Sequence, residues 1–235
     1  MPSTTHTLVN RAWRSAAFRL QRYADWTGSR SIDHHLTTLG LGHAKKIPTW
    51  TRQNELEALY RLAAGCSRGA HIVELGSYLG ASTCYLAAGA SLVDGRVTAI
   101  DLWNNETITA APRDTFAEFQ RNIAPITSRV TVLRKRTDDL VPADVQPQVS
   151  LAFIDADHAY DAARRDAAFM APFVAPDGIM AFHDATVFEG VNRALSELLL
   201  TGEWRIAGQA NSLTWICRAG WSPWPPPAAN SEPTP

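Results

Sequence analysis

One stretch constrains this chain more than any other: His71-Ile72-Val73-Glu74-Leu75-Gly76-Ser77-Tyr78-Leu79-Gly80-Ala81-Ser82. A short apolar strand gives way to an acid, then to a turn bracketed by glycines, then to small residues that suit a helix start. The glycines relieve the tight strand-to-helix turn and let backbone approach a ligand closely. The next apolar run, Val97-Thr98-Ala99-Ile100-Asp101, ends in a second acid. A carboxylate there can accept hydrogen bonds from both hydroxyls of a ribose, so the two acids around the turn outline a nucleoside crevice.

The alternation continues along the chain. Strands are expected at His71 to Leu75, at the run ending in Asp101, and at Val130 to Leu133, Val149 to Ile154 and Ile179 to Phe182. Helices are expected from a Thr51 cap through Ala64, over Ala81 to Ala90, around Phe116, Phe119 and Ile123, over Tyr160 to Phe173, and through Val191, Leu195 and Leu199 to a stop near Gly202. Pro176-Asp177-Gly178 reads as a turn. Trp204 to Ala207 and Ser212 to Arg218 read as an antiparallel closing pair. The pattern predicts a doubly wound, Rossmann-like α/β fold: a seven-stranded, mostly parallel sheet with an antiparallel C-terminal pair and helices on both faces. Ligands in such sheets sit beyond the carboxyl ends of the strands, where Glu74, Asp101, Asp155 and Asp184 all fall. Four acids on one rim are a costly pile of like charge that a cationic ligand or a metal would relieve.

A net charge of −1 gives no argument for nucleic acid or an anionic membrane surface as a partner. The three cysteines, Cys66, Cys84 and Cys217, have no paired spacing and read as free thiols in a reducing compartment, which places the chain in the cytoplasm. The N-terminal 24 residues carry no acid but have Arg11, Arg14, Arg19 and Arg22, with Val9, Trp13, Ala16, Ala17 and Leu20 at helical spacing. That composition resembles a transit peptide, but an amphipathic helix covering the site or packing between copies is the favoured reading. Residues 1–46 are accordingly expected to be a helical lid or oligomer segment, 47–220 the main domain of a homo-oligomer, and 221–235 a Pro-rich disordered tail. His34, His35 and His43 read as exposed loop histidines, and Trp103 as the best aromatic candidate for a ligand pocket, alongside Trp13, Trp26 and Trp50.

The turn itself discriminates between ligands. A dinucleotide site wants G-x-G-x-x-G, whose middle glycine admits a pyrophosphate. This chain has no middle glycine and presents bulky Tyr78 in the turn instead. The form E-x-G-x-x-x-G resembles motif I of class I S-adenosylmethionine (SAM) methyltransferases. Two further segments, Ile154-Asp155-Ala156-Asp157-His158-Ala159-Tyr160 and the run ending in Phe182-His183-Asp184, narrow the resemblance. Together they are similar to small bacterial O-methyltransferases of the macrocin and rhamnosyl group, relatives of the catechol-type enzymes, over about Ile47 to Arg218.

The resemblance implies a set of roles. Glu74, Gly76, Ser77, Tyr78 and Gly80 would hold SAM, with Ser82 near its carboxylate, Asp101 on the ribose and Thr137 in the poorly matching adenine segment. Asp155 would border the cofactor, and with Asp184 would occupy the positions of divalent-metal ligands. His183, where several metal-using relatives have an acid or amide, leaves three readings open: Mg²⁺ with Asp157 assisting, a different cation with His183 as a third ligand beside Asp155 and Asp184, and no metal. His158 would match the general base, and the acceptor would be a hydroxyl of a small polar molecule such as a sugar or secondary metabolite. On its position alone, His158 could instead cap the helix beginning near Tyr160. The competing readings are a phenol or catechol methyltransferase, and a non-catalytic SAM-binding or NAD-binding protein.

Overall fold

In a computed structural model of the chain, residues 28–104 and 113–221 are described. The arginine-rich start with Trp13 and Trp26, the link through Asn105 and Glu106, and the tail beyond Trp221 lie outside them. The strands are β1 (His71–Leu75), β2 (Arg96–Asp101), β3 (Val130–Arg134), β4 (Val149–Ile154), β5 (Val174–Phe182), β6 (Trp204–Ala210) and β7 (Leu213–Arg218). They form one seven-stranded sheet in the order β3-β2-β1-β4-β5-β7-β6. β1 to β5 pair in parallel, and β7 runs antiparallel to both β5 and β6. This is the doubly wound, Rossmann-like fold, mostly parallel with an antiparallel C-terminal pair, that the alternation predicts.

The pleat sends alternate strand residues to opposite faces, and each face buries its own core. Ile72, Val97, Ala99, Leu151, Phe153 and Ala181 pack with α2 (Gln53–Ala64), α3 (Ala81–Ser91) and α4 (Phe116–Ile123). Val73, Leu75, Ile100, Ala152, Ile154, Met180 and Phe182 pack with α5 (Tyr160–Met170) and α6 (Glu189–Leu200). α3 is buried on every side over residues 81–90. A helix apolar all round needs cover beyond the sheet, and α2 and residues 28–46 provide it. Residues 28–38 form a helix, α1, whose Ile32 and Leu36 join Leu41, Ala44 and Leu59 in the α3 core. That core therefore runs without a break across residue 47.

Local departures have local causes. Arg52, not Thr51, is the N-cap of α2, because Glu55 folds back to accept the Arg52 N–H at 2.7 Å. α5 stops at Met170, and Pro176-Asp177-Gly178 lies inside β5 as a bulge, where the β4–β5 register skips between Val149–Val174 and Leu151–Ile179. His35 and His43 are not free loop residues: His35 sits on α1 with Nδ1 2.8 Å from the Tyr60 hydroxyl, and His43 Nε2 lies 2.9 Å from the Asn122 carbonyl. No helix among the described residues is long and apolar enough to cross a membrane.

Candidate active site

The carboxyl ends of β1, β2, β4 and β5 open into one cavity of ≈ 920 Å³. The β1–α3 turn forms its floor. Gly76 has φ +87°, and a Cβ there would lie 2.1 Å from the Asp155 carbonyl oxygen, so this glycine is dictated by the close approach of β1 to β4. The turn is tied to β2 through Asp101. Oδ2 accepts the N–H groups of Ser77 and Tyr78 at 2.8 Å each, and Oδ1 accepts that of Trp103 at 2.6 Å. Three backbone donors thus fix the carboxylate, and Oδ1 keeps an acceptor position for a ligand hydroxyl.

Glu74 is fully buried behind the turn instead of lining the cavity. Its Oε2 accepts the hydroxyls of Ser77 at 2.9 Å and Thr83 at 2.5 Å, while Oε1 is buried without a partner. Burial pushes this carboxyl up to about 7. Gly80, the N-cap of α3 at φ +87°, likewise faces away, against Phe119 and Ile123. Glu74 and Gly80 therefore build the turn, whereas Gly76, Ser77, Tyr78, Ser82, Asp101 and Thr137 border the cavity. The Trp103 ring also turns inward: it is 1% exposed and stacks on Phe119 with centroids 4.5 Å apart. Trp50 is the exposed aromatic at the wall, packed on Tyr78 at 5.1 Å.

The other half of the rim is an ionic network. His183, only 4% exposed, has Nδ1 3.1 Å from Asp155 Oδ1 and 3.3 Å from Asp184 Oδ2, and Nε2 3.2 Å from Glu55 Oε2. Carboxylates face both ring nitrogens, so both carry protons. Burial lowers the imidazole's pKa, but Asp155 and Asp184 raise it to about 11. Burial raises Asp155, with His183 opposing. It pushes Asp184 up too, yet the adjacent imidazoles of His158 and His183 carry that carboxyl far below the ordinary range. Asp184 also takes the Ser212 hydroxyl on Oδ1 at 3.2 Å and holds φ +56°, a left-handed conformation costly for a non-glycine residue.

His158 follows β4 and stacks flat on Phe188, with rings 4.0 Å apart and 5° from parallel. Its Nε2 lies 3.2 Å from Asp184 Oδ2, an ion-pair distance without hydrogen-bond alignment. Asp184 raises the imidazole above its ordinary value, against its burial. Asp157 lines the cavity and accepts the Ala159 N–H at 2.9 Å; Ala159 is the N-cap of α5, which has no side-chain cap, so His158 does not cap it either.

Two members of the site escape the sequence reading. Glu55 is 1% exposed, and besides His183 it accepts the Ser212 N–H at 2.9 Å and hydroxyl at 2.7 Å. Burial pushes its carboxyl up, but the hydrogen bonds from Arg52, Ser212 and His183 leave it below the ordinary value. The signal for Glu55 was its spacing from Arg52, that of a capping box; nothing local marks Ser212.

Asp155, His158 and Asp184 each bring one ligand atom to within 4.8 Å of the others. His183 is not one of the three: its Nδ1 lies 3.1 Å from Asp155 Oδ1 and 3.3 Å from Asp184 Oδ2, beside the group.

A Rossmann-like sheet with a glycine turn at β1 and an acid closing β2 defines a nucleoside-binding α/β domain. Residues 73–185 match the family described as a methyltransferase domain, and this segment is a SAM-dependent methyltransferase domain. No curated protein matches the chain. Among solved structures it is similar to a TDP-rhamnose 3'-O-methyltransferase of calicheamicin biosynthesis (18% identity, TM-score 0.54, covering 84% of this chain and 95% of that one). It is also similar to the O-methyltransferase TomG of tomaymycin synthesis from Streptomyces achromogenes, solved with SAM (17%, 0.55, 80% and 91%). An rRNA methylase from Streptococcus thermophilus matches as well (12%, 0.51, 73% and 99%). At these identities the likeness is one of fold.

Proposed function

We propose that the chain transfers the SAM methyl group to a hydroxyl of a small polar acceptor, a sugar or secondary metabolite, with His158 as general base. The observation that carries this reading is an imidazole on the cavity wall, aligned by Phe188 and held through Nε2 beside Asp184, which leaves Nδ1 free to take a proton. SAM would lie over the Gly76–Tyr78 turn, with a ribose hydroxyl on Asp101, Ser82 near the methionine carboxylate and Thr137 toward the adenine. Bound SAM supplies an electrophilic methyl on a sulfonium. The acceptor oxygen would take that methyl, leaving S-adenosylhomocysteine, and His158 would receive the hydroxyl proton. The enzyme's task is in-line alignment and proton removal.

Two results test this. Calorimetry with S-adenosylhomocysteine should give micromolar-range binding that is lost in Asp101→Ala. Transfer from radiolabelled SAM to a panel of hydroxyl acceptors should then nearly vanish in His158→Ala. A flat phenolic acceptor is the second reading, favoured by exposed Trp50 and Phe188 at the cavity wall; its lower pKa would make turnover much less sensitive to loss of His158. The free thiols support a cytoplasmic setting. The basic start of the chain is the segment we assign to a lid or to contact between copies.

A further inference from the structure

Resting on the methyl-transfer reading, we propose that Asp166 is a positioning residue for the cofactor: buried behind the cavity wall, its carboxyl group holds the Thr137 turn in place for the base end of SAM.

Asp166 is a buried acid that the site as described does not use. It lies on the inward face of α5 with Ala162, Ala163, Ala167 and Met170, and is 1% exposed. Both carboxyl oxygens are buried without a hydrogen-bond partner. Such a group costs the fold stability, and an apolar side chain would pack there without that cost. Its neighbours point to a use. Burial pushes the carboxyl up to about 6, opposed by the Thr137 hydroxyl and by Arg165, while Asp157 and Asp138 add to the rise. Thr137, Asp138, Asp157 and Arg165 all border the cavity, whereas Asp166 does not. Asp166 therefore stands one layer behind the wall, and Thr137 is the uncharged donor that faces it.

The wall at that point has little else to fix it. Residues 137–139 form a single 3-10 turn with no side-chain cap. Among the described residues, every hydrogen bond they make closes within residues 136–140. Asp139 N–H reaches the Arg136 carbonyl at 3.2 Å, Leu140 N–H reaches the Thr137 carbonyl at 3.4 Å, and the Arg136 guanidinium reaches Asp138 at 2.9 Å. The turn packs on α5. Its polar tie to the body of the fold is thus the Thr137 hydroxyl over the Asp166 carboxyl, an attraction that a low-dielectric surrounding strengthens. The two face each other without hydrogen-bond alignment. A base seated against Thr137 would press the hydroxyl onto the acceptor behind it, so ligand binding and satisfaction of the buried carboxyl are coupled.

The test reads stability and affinity on the same variants of the full chain: thermal unfolding without ligand, and calorimetry with S-adenosylhomocysteine and with 5′-methylthioadenosine. The second ligand keeps the base and ribose and lacks the amino-acid end. Asp166→Leu removes a buried carboxyl that has no partner, so its Tm is expected above that of wild type. Its affinity for both ligands is expected to fall about tenfold. Thr137→Val should cause a similar loss in wild type and add less than about twofold in Asp166→Leu, because the two side chains act as one unit. Asp166→Leu affinity within about twofold of wild type would overturn the proposal. So would a loss confined to S-adenosylhomocysteine, a loss that adds in full to that of Thr137→Val, or weaker binding together with a lower Tm, the mark of a merely structural carboxyl. If Asp166→Leu does not fold, Thr137→Val decides alone, and unchanged affinity for either ligand overturns the proposal. No binding of S-adenosylhomocysteine by wild type would instead sink the methyl-transfer reading itself.

Discussion

Glu74 offers the sharpest quantitative prediction, because its carboxyl is raised by burial while the unfolded chain leaves it ordinary. Its folded value is about 7 against 4.5 unfolded. Between those values the folded state holds a proton that the unfolded state has released. Stability from this group therefore falls as pH rises from 4.5 and levels off above 7. The full span is the difference of 2.5 between the two values at about 1.4 kcal/mol each, or about 3 kcal/mol, as an order of magnitude. Glu74→Gln keeps an amide oxygen for the Ser77 and Thr83 hydroxyls and removes the charge. Urea unfolding of both proteins at pH 5 and pH 8 isolates the effect as a double difference. The variant should gain roughly 2 kcal/mol on wild type between those pH values. A stability difference that does not change with pH would show that the carboxyl titrates normally and that the buried, unpartnered Oε1 carries no electrostatic cost.

Three further outcomes follow from the site. Asp101→Ala releases the N–H groups of Ser77, Tyr78 and Trp103 together, so S-adenosylhomocysteine affinity should fall at least tenfold, about 1.4 kcal/mol, by calorimetry. His158→Ala should lower kcat by roughly 10²- to 10⁴-fold while the calorimetric affinity for S-adenosylhomocysteine stays within about twofold; an equal loss of both would assign His158 to cofactor binding. Gly76→Ala must fit a Cβ 2.1 Å from the Asp155 carbonyl at positive φ, so thermal unfolding should show a loss of well over 1 kcal/mol, and an unchanged Tm would contradict the β1–β4 approach.

The fold was legible because its central strands are buried on both faces, and short apolar runs such as Val149-Ser150-Leu151-Ala152-Phe153-Ile154 between turn signals are the strongest marks a sequence carries. The site acids were legible for the same reason: each closes such a run. What stayed hidden was the direction each side chain takes. Glu74 shares the pleat face of Ile72 and so points under α3, and the Trp103 ring turns into the core. Glu55 carried only the mark of a capping box and Ser212 none, because they come from α2 and the β6–β7 turn and meet only in space, 157 residues apart. His183 next to Asp184 reads locally as a ligand pair, and only the folded chain brings the buried Glu55 to 3.2 Å from its Nε2.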